Sequence, residues 1–295
     1  MDLPLKKLEI TSGHHFNLKD FDTSSGEKLP VPEELKKLLA EDITAISKLQ
    51  NRLYAENRQA LLIIMQGMDA AGKDSAIKHI MTGVNPQGVD VVSFKHPSDE
   101  ELDHDYLWRH YIKLPAHGKI TIFNRSHYEN VLITRVHPNL ITAEKLPGIR
   151  GPRDIRPQFW QTRFRQINDF ERTVTENGTT ILKLFFHLSR KEQRKRFLER
   201  IENPEKHWKF SSADLKERGF WKEYHHAYEA AIKHTSTKRA PWFIIPSDDK
   251  WYAHLLIGKI IFRALQKMNP AYPALDQQEE LRITRAKKIL DKGTG

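Results

Sequence analysis

The residues with the clearest chemical pattern begin at Gly67, where Gly67-Met-Asp-Ala-Ala-Gly-Lys-Asp-Ser75 follows a short apolar run. One glycine, four residues and then Gly-Lys is the Walker A spacing of a phosphate-binding loop. Glycines allow backbone N–H groups to turn toward phosphate oxygens, and the start of the next helix adds a favourable dipole. Lys73 then places a compact positive charge against the phosphates. The predicted phosphate-binding residues are Ala70, Ala71, Gly72, Lys73, Asp74 and Ser75.

Two carboxylates distinguish this loop from the usual pattern. Asp74 follows the lysine, where a Ser or Thr that ligates Mg²⁺ normally stands, and Ser75 is displaced by one position. Asp69 lies inside the loop, where it would repel phosphate unless a divalent cation lay between them. The alternative is a chance Gly-rich turn with Asp74 as an ordinary first-turn acid, but the strand before the loop and the helix after it favour phosphoryl chemistry.

A second polar cluster ends the apolar run Lys119-Ile-Thr-Ile-Phe-Asn124 and continues as Arg125-Ser-His-Tyr-Glu129. The carboxyl ends of strands in an open α/β sheet face the ligand crevice. Asn124 stands where a Walker B aspartate would end the strand, and a neutral amide brings no charge to Mg²⁺. Glu129 could restore that charge one helical turn later, and Arg125 could bridge two phosphates. Each residue alone could be a cap or a solvent-facing group, but their clustering favours function.

The segment 190–222 holds 11 Lys or Arg and 6 Asp or Glu, so half of the formal net charge of +10 lies within it. Most charge runs are solvated helix faces, and that interpretation stays open from composition alone. The other interpretation is a cationic lid that closes over an anionic ligand.

The apolar pattern predicts an α/β fold with a parallel sheet, because buried strands alternate with long helices. The first 30 residues are expected to form an extended arm. Residues 271–295 are expected to form a charged tail, with a helix that packs on a partner chain. The predicted strands are 60–66, 89–94, 119–124, 180–188 and 242–246. The predicted helices are 32–57, 74–81, 100–112, 159–176, 189–202, 220–236 and 252–268.

Composition excludes several classes of protein. The absence of Cys rules out a disulfide framework, cysteine zinc sites, iron–sulfur clusters and a thiol nucleophile. The longest purely apolar run, residues 60–65, is far shorter than the ~20 residues that cross a membrane. No apolar secretory segment is visible at the N-terminus, so a soluble cytoplasmic protein is expected. The basic charge predicts an anionic partner.

Together, three segments resemble family-2 polyphosphate kinases: residues 67–74, residues 123–129, and Glu192-Gln-Arg-Lys-Arg-Phe197 followed by Asn203-Pro-Glu-Lys-His-Trp-Lys209. The resemblance extends from about residue 15 to residue 265. It implies a thymidylate-kinase-like, three-layer P-loop fold with a helical lid and inorganic polyphosphate as donor. Asn124 together with Glu129 is similar to the subgroup that phosphorylates nucleoside mono- and diphosphates, which implies conversion of AMP to ADP and of ADP to ATP.

The resemblance also implies roles for individual residues. Asp69 and Lys73 would belong to the phosphate and metal centre, with Asp69 and Glu129 as candidate metal ligands, while Arg125 would grip the nucleotide phosphates. The lid residues implied to bind polyphosphate or nucleotide phosphate are Arg194, Arg196, Arg200, Lys206 and Lys209. The expected cofactor is Mg²⁺, with Mn²⁺ as a substitute.

The expected partners are inorganic polyphosphate and adenine nucleotides, with guanine nucleotides as further acceptors, and neither nucleic acid nor membrane. A homodimer or homotetramer is expected. The expected organisation is an arm and helix (1–57), a kinase domain with its lid (58–270) and a tail (271–295).

Two other functions are also compatible with the sequence. One is an ATP-dependent nucleotide kinase of the same fold, against which the two acids of the loop argue. The other is a P-loop nucleic-acid-binding protein, suggested by the pI near 9.5 and by Trp208 and Trp221 among the basic residues. Tryptophans on helices are more often packing anchors than base-stacking platforms.

Overall fold

A single six-stranded sheet lies at the centre of the computed structural model, which describes residues 3–26, 29–291 and 293. The strand order is β1-β6-β5-β2-β4-β3, and every pairing is parallel except that of β1 with β6. The strands are β1 (Glu9–Ile10), β2 (Ala60–Gln66), β3 (Val89–Ser93), β4 (Ile120–Asn124), β5 (Thr179–His187) and β6 (Trp242–Pro246).

Helices connect the strands and cover both faces of the sheet. Short 3₁₀ turns lie at Leu18–Asp20, Pro86–Gly88, His127–Val131, Pro152–Asp154 and Pro204–Lys209. The α-helices are α1 (Leu5–Leu8), α2 (Pro32–Glu56), α3 (Lys73–Ile80), α4 (Asp99–Asp103), α5 (Trp108–Tyr111), α6 (Ile133–Val136), α7 (Asn139–Thr142), α8 (Pro157–Glu176), α9 (Arg190–Glu202), α10 (Ser212–Gly219), α11 (Trp221–Thr235), α12 (Lys250–Met268) and α13 (Gln277–Asp291).

Strand β2 is the centre of this arrangement, and all seven of its residues are buried. Its side chains alternate between two cores, as the two-residue period of a strand requires. Leu61 and Ile63 pack on the face covered by α2 and α12, while Leu62 and Ile64 pack on the face covered by α8 and α11. The result is a three-layer α/β fold, as the sequence predicts.

The five predicted strands are confirmed within one residue at each end. The prediction of an extended N-terminal arm is wrong, because residues 5–10 form α1 and β1. Two residues of β1 pair with Trp242 and Phe243 at the sheet edge, and a pairing that short leaves no periodic pattern to detect. The sheet is therefore parallel, as predicted, except for one antiparallel edge strand, β1.

The single helix predicted over 100–112 is also wrong, because the structure has two short helices there, α4 and α5. Ser98 begins α4 with a capping box that includes Glu101. The Asp105 carboxylate then accepts a hydrogen bond from the Leu107 backbone N–H at 2.8 Å, a local turn that competes with helix continuation.

The charged tail contains the expected helix, α13, and all of its residues are exposed. Its packing on a partner chain stays a prediction, as does the division into arm, kinase domain and tail. Within the described residues, no helix combines the length and the apolar character needed to cross a bilayer.

His254 in α12 is a buried titratable group that faces the aromatic rings of His79 and Trp251. Only 1% of the residue is exposed, and neither ring nitrogen has a hydrogen-bond partner among the described residues. Burial, assisted by His79, Lys250 and Arg196, lowers the pKa of His254 from 6.5 to about 3. The folded protein therefore keeps this ring neutral over most of the acid range.

The free energy of unfolding should consequently fall as the pH drops from 6.5 toward about 3, because only the unfolded chain takes up a proton on this ring. His254→Leu should flatten that slope by about 1 kcal/mol per pH unit. Urea unfolding of both proteins over this pH range measures the difference. The exposed His226→Leu serves as the control, and a wild-type slope in His254→Leu would contradict the assignment.

Candidate active site

The phosphate loop connects β2 to α3 and has three residues with positive φ. Gly67 lies so close to β5 that a Cβ atom would approach the Cβ of Phe186 to 2.8 Å, so only glycine fits. Ala70 and Gly72 have φ values of 62° and 105°. Left-handed residues within such a loop turn backbone N–H groups to one side and form an anion-binding concavity. The Ala71 N–H is used inside the loop, where it donates to the Met68 carbonyl at 3.1 Å.

Lys73 is the first residue of α3 and is buried beneath the loop. Its Nζ donates to the carbonyl oxygens of Gly67 at 2.6 Å and Met68 at 3.3 Å. An ammonium group has three N–H donors, so these bonds leave one for a phosphate oxygen. Burial lowers the pKa of Lys73, and the Asp69 carboxylate opposes that change.

Asp69 and Arg125 join the loop to the end of β4. The Asp69 Oδ1 accepts from the Arg125 Nη2 at 2.8 Å. Arg125 has a φ of 62°, and its backbone N–H donates to the Met65 carbonyl of β2 at 3.1 Å. Burial acts to lower the pKa of Arg125, but the carboxylates of Glu129 and Asp69 outweigh it, and the net direction is upward. This guanidinium is a permanent cation at the site.

Glu129 lies in the 3₁₀ turn His127–Val131, as expected for a carboxylate one turn beyond the strand. The Gln66 amide has one orientation in which both of its ends are satisfied. In that orientation the Gln66 nitrogen donates to the Glu129 Oε1 at 3.0 Å, and the Gln66 oxygen accepts from Ser126. Burial raises the pKa of Glu129, while Arg125 and Lys73 oppose the rise. A further cation nearby would keep this carboxylate ionised.

Asn124 binds the first turn of α3 rather than the loop itself. Its Nδ2 donates to the Asp74 Oδ1 at 2.6 Å. The Oδ1 of Asn124 is buried and has no hydrogen-bond partner among the described residues. The neutral amide therefore ties the end of β4 to the start of α3, and an aspartate there would instead repel Asp74.

A cleft of about 780 Å³ opens above the loop. Nine Lys or Arg and six Asp or Glu side chains line it, so its surface is strongly charged and net positive. The cleft is lined by the loop residues 69–75, by Asn124 and Arg125, and by four of the five predicted lid residues, Arg196, Arg200, Lys206 and Lys209. Arg194 does not line it and is exposed elsewhere on α9.

The sequence reasoning missed three cations in the same cleft: Lys95, Lys195 and Lys250. Lys95 follows β3 and Lys250 follows β6, so their position just beyond the carboxyl ends of parallel strands could have identified them. Burial lowers the pKa of Lys250, and the nearby Arg196 and Lys206 lower it further. This crowding of positive charge indicates an anionic ligand.

Arg196 is a predicted lid residue whose donors are used within the protein. Its Nη1 donates to the carbonyls of Ala70 and Ala71, at 3.0 and 3.1 Å. Its Nη2 donates to the carbonyls of Ser247 and Asp248, at 2.6 and 3.2 Å. The Nε donates to Glu192 at 2.9 Å. In this structure Arg196 therefore fastens α9 to the loop.

A second cavity, of about 210 Å³, adjoins the cleft. Apolar and aromatic side chains, among them Phe94, Tyr106, Ile133 and Leu140, form much of its wall, and charged side chains such as Glu101 and Arg109 also line it. Phe94, Lys95, His96 and Arg125 line both spaces. Glu129 lines this cavity, whereas Asp69 lines the cleft, so Arg125 lies where the two meet. The sequence reasoning missed the cavity because α4 to α7 are too short to carry a pattern.

A buried ion pair supports the turn that carries Glu129, and the sequence reasoning missed it too. The Lys183 Nζ donates to the Glu171 Oε2 at 2.6 Å, the Thr235 carbonyl at 2.7 Å and the Tyr128 hydroxyl at 3.1 Å. The Tyr128 hydroxyl in turn donates to Glu171 Oε1 at 2.7 Å. The sequence shows a lysine in the middle of an apolar strand, Leu182-Lys-Leu184. This pattern could have predicted a buried ion pair, since such a charge must be paired.

Asp69 offers the chemistry that Mg²⁺ requires. Across the described part of the chain, no three His, Cys, Asp or Glu side chains converge closely enough to hold a metal ion by themselves. Mg²⁺ usually takes one or two carboxylates and completes its shell with substrate phosphates and water. Asp69 is partly exposed to the cleft, so its carboxylate together with phosphates fits that pattern.

A parallel sheet with a phosphate loop after its central strand, and cations at the strand ends, defines a P-loop kinase. The sequence profile of the polyphosphate kinase 2 (PPK2) family matches residues 32–273. The chain belongs to this family and is a phosphotransferase.

Similar proteins share almost the whole chain. An ADP-polyphosphate phosphotransferase of Rhodopseudomonas palustris is 44% identical over 273 residues, covering 92% of this chain and 93% of the relative. An AMP/ADP-polyphosphate phosphotransferase of Meiothermus ruber is 43% identical over 281 residues, covering 94% and 98%. The crystal structure of polyphosphate kinase 2 from Arthrobacter aurescens TC1 superposes with a TM-score of 0.85 at 36% identity, covering 97% of each chain.

Lys73→Ala should lower kcat for phosphoryl transfer by at least about 100-fold, because the charge against the phosphates is lost. The protein should stay folded, since Lys73 contacts loop carbonyls and lies outside the two apolar cores. Steady-state kinetics and circular dichroism measure the two effects. Lys78→Ala on the exposed side of α3 is the control, and retained turnover in Lys73→Ala would remove Lys73 from the mechanism.

Proposed function

We propose that this protein transfers the terminal phosphoryl group of inorganic polyphosphate to AMP and ADP, giving ADP and ATP, in a reversible reaction. The observation that carries the proposal is the pair of adjoining spaces that share Arg125, one charged and open and the other apolar and more enclosed. The names of the two relatives, an ADP-polyphosphate phosphotransferase and an AMP/ADP-polyphosphate phosphotransferase, support polyphosphate as the donor and AMP and ADP as the acceptors.

The charged cleft is suited to a donor that is a chain of phosphates without a base. Cations occur along it from the loop to the 3₁₀ turn Pro204–Lys209. Its aromatic lining besides His96 is Phe94 and Trp208, and Trp208 is 79% exposed, so the described residues of the cleft form no enclosed slot for the base of ATP. This argues against an ATP-dependent kinase of the same fold.

The apolar cavity is suited to the nucleoside of the acceptor. Phe94, Tyr106 and Ile133 provide apolar walls of the kind that cover a planar base. Arg125 at the junction would hold the acceptor phosphate beside the donor chain. Acceptor and donor would thus meet where Arg125, Asp69 and Lys73 converge.

Transfer at this site needs no strong general base, because the attacking group is a phosphate oxygen that is mostly ionised at neutral pH. This oxygen bonds to the terminal phosphorus of polyphosphate, the bond from that phosphorus to the bridging oxygen breaks, and the shortened chain leaves with the electron pair. Lys73 and Arg125 offset the charge of the phosphates, and the loop N–H groups hold the chain in line. Closure of the lid would exclude water that competes for the phosphoryl group.

We infer Mg²⁺ as the cofactor, with Mn²⁺ as a substitute, held by Asp69 and phosphate oxygens. When bound, the ion supplies positive charge between the phosphates and this carboxylate. Glu129 is proposed as the second ligand, because burial raises the pKa of this carboxyl group and a bound cation would stabilise its ionised form.

We infer guanine nucleotides as further acceptors, a cytoplasmic location, no nucleic-acid or membrane partner, and a homodimer or homotetramer. The fully exposed α13 supports the oligomer, since an isolated helix of 15 residues is only marginally stable in water.

The function is tested by incubating the purified protein with Mg²⁺ and AMP, together with either polyphosphate or ATP as donor. Polyphosphate should give ADP and then ATP. If ATP supports transfer and polyphosphate does not, the proposal is wrong. Omission of Mg²⁺ with added chelator is the control for the cofactor, and it should abolish the reaction.

Asn124→Asp should change the ratio of kcat/KM for AMP to that for ADP by several-fold. The new carboxylate would repel Asp74 and shift the end of β4 that carries Arg125. Initial rates with each acceptor at saturating polyphosphate measure the ratio. Asn139→Asp, an exposed change of the same charge, is the control. An unchanged ratio would leave Asn124 with a purely structural role.

A further inference from the structure

Gln193 is a buried polar residue in α9 to which the transfer chemistry assigns no role. Only 1% of it is exposed, and both ends of its amide are bonded. The Nε2 donates to the backbone carbonyl of Asp69 at 2.9 Å. The Oε1 accepts from the Nη1 of Arg218 at 2.7 Å. One side chain thus connects the phosphate loop to α10.

The Arg218 end of this connection belongs to the outer part of the lid. Arg218 lies in the last turn of α10, and its Nη1 also donates to the Arg190 carbonyl at 3.0 Å. The same helix carries Asp214, which lines the cleft and pairs with Arg200 at 3.4 Å. The position of Arg218 therefore depends on where α10 lies relative to the cleft.

The Asp69 end of this connection belongs to the phosphate loop. The carbonyl that Gln193 binds precedes Ala70, whose φ of 62° is costly for a residue with a side chain. In a trans peptide the C=O and the next N–H point in opposite directions, so this bond turns the Ala70 N–H away from Gln193. Arg196 holds the next two carbonyls in the same way. Helix α9 thus binds three consecutive carbonyls of the loop.

Arg218 also determines which way the Gln193 amide faces. The two ends of an amide have nearly the same shape, and only their partners distinguish them. Arg218 can only donate, so it requires the amide oxygen, and the nitrogen is then directed to the Asp69 carbonyl. If α10 moved away, the amide oxygen would lose its donor, and only the bond to the Asp69 carbonyl would still hold the Gln193 side chain.

We propose that Gln193 is a positioning residue that couples closure of α10 over the polyphosphate chain to the shape of the phosphate loop. This inference rests on the proposed function for the identity of the donor. With α10 in place, Arg218 orients Gln193, Gln193 holds the Asp69 carbonyl, and the loop is in the conformation that binds phosphate. Without α10 in place, the loop loses one of its three supports.

A double-mutant cycle of Gln193→Met and Arg218→Ala tests the coupling. Each single variant should lower kcat/KM for polyphosphate about tenfold, while the KM for AMP stays within twofold, because neither residue lines the apolar cavity. The double variant should have the same kcat/KM for polyphosphate as the single variants, since loss of either hydrogen bond already separates α10 from the phosphate loop. Lys191→Ala, an exposed change on the same helix, should match the wild type.

Three kinetic results would overturn the proposal: a loss of about 100-fold in the double variant, an equal rise in the KM for AMP, or failure of Arg218→Lys to recover part of the activity that Arg218→Ala loses. If Gln193→Met does not fold, the Arg218→Ala and Arg218→Lys variants test the proposal by themselves, since Arg218 is only half-buried.

Hydrogen exchange separates this inference from the proposed function, because it needs no substrate. The amides of residues 69–72 should exchange several-fold faster in Arg218→Ala, although Arg218 does not touch them. Unchanged exchange would overturn the coupling. Absence of polyphosphate-dependent transfer in the wild type would instead overturn the function and leave the exchange result standing.

Discussion

The site depends on a cluster of two cations and two carboxylates held at the ends of two neighbouring strands. Lys73 and Arg125 lie among Asp69 and Glu129, and burial weakens the screening that water would provide. Each charge is tolerated because the others are present. The proposed substrates, polyphosphate and a nucleotide, would bring additional negative charge to this cluster, and the proposed Mg²⁺ would bring positive charge.

The parallel register of β2 and β4 produces this cluster. Met65 lies opposite Asn124, so the residues that follow each strand, Gly67 and Arg125, emerge side by side. The bond from the Arg125 N–H to the Met65 carbonyl then continues the ladder by one residue. Behind the turn, the buried pair of Lys183 and Glu171 supports Tyr128 through hydrogen bonds. Removing either charge would leave the other buried without a partner.

The basic segment 190–222 divides into two parts with different tasks. Arg196 and Gln193 on α9 bind loop carbonyls, so this helix acts as a wall of the phosphate loop. Lys195, Arg200, Lys206 and Lys209 line the cleft, so these cations face the space that an anionic ligand would occupy. Composition could not separate the two groups, because an arginine that binds a carbonyl and one that binds a phosphate look the same in a sequence.

The part of the site that could be predicted from sequence is the part built from strongly patterned local segments. The run of residues 60–66, the glycine spacing and the polar residues 124–129 each occupy a few consecutive positions, and the sheet brings them together. The apolar cavity could not be predicted, because Phe94, Tyr106 and Leu140 come from separate short elements. Strand β1 was missed because only two residues pair, and Gln193 because both of its partners are distant in sequence.

The proposed function requires donor and acceptor to occupy different spaces that meet at Arg125. A crystal structure with AMP, Mg²⁺ and a non-hydrolysable polyphosphate analogue would show both positions. The adenine is expected among Phe94, Tyr106 and Ile133, the AMP phosphate on Arg125, and the analogue along the cleft from Lys73 to Lys209. An adenine bound in the cleft against Trp208, with the analogue in the apolar cavity, would contradict it.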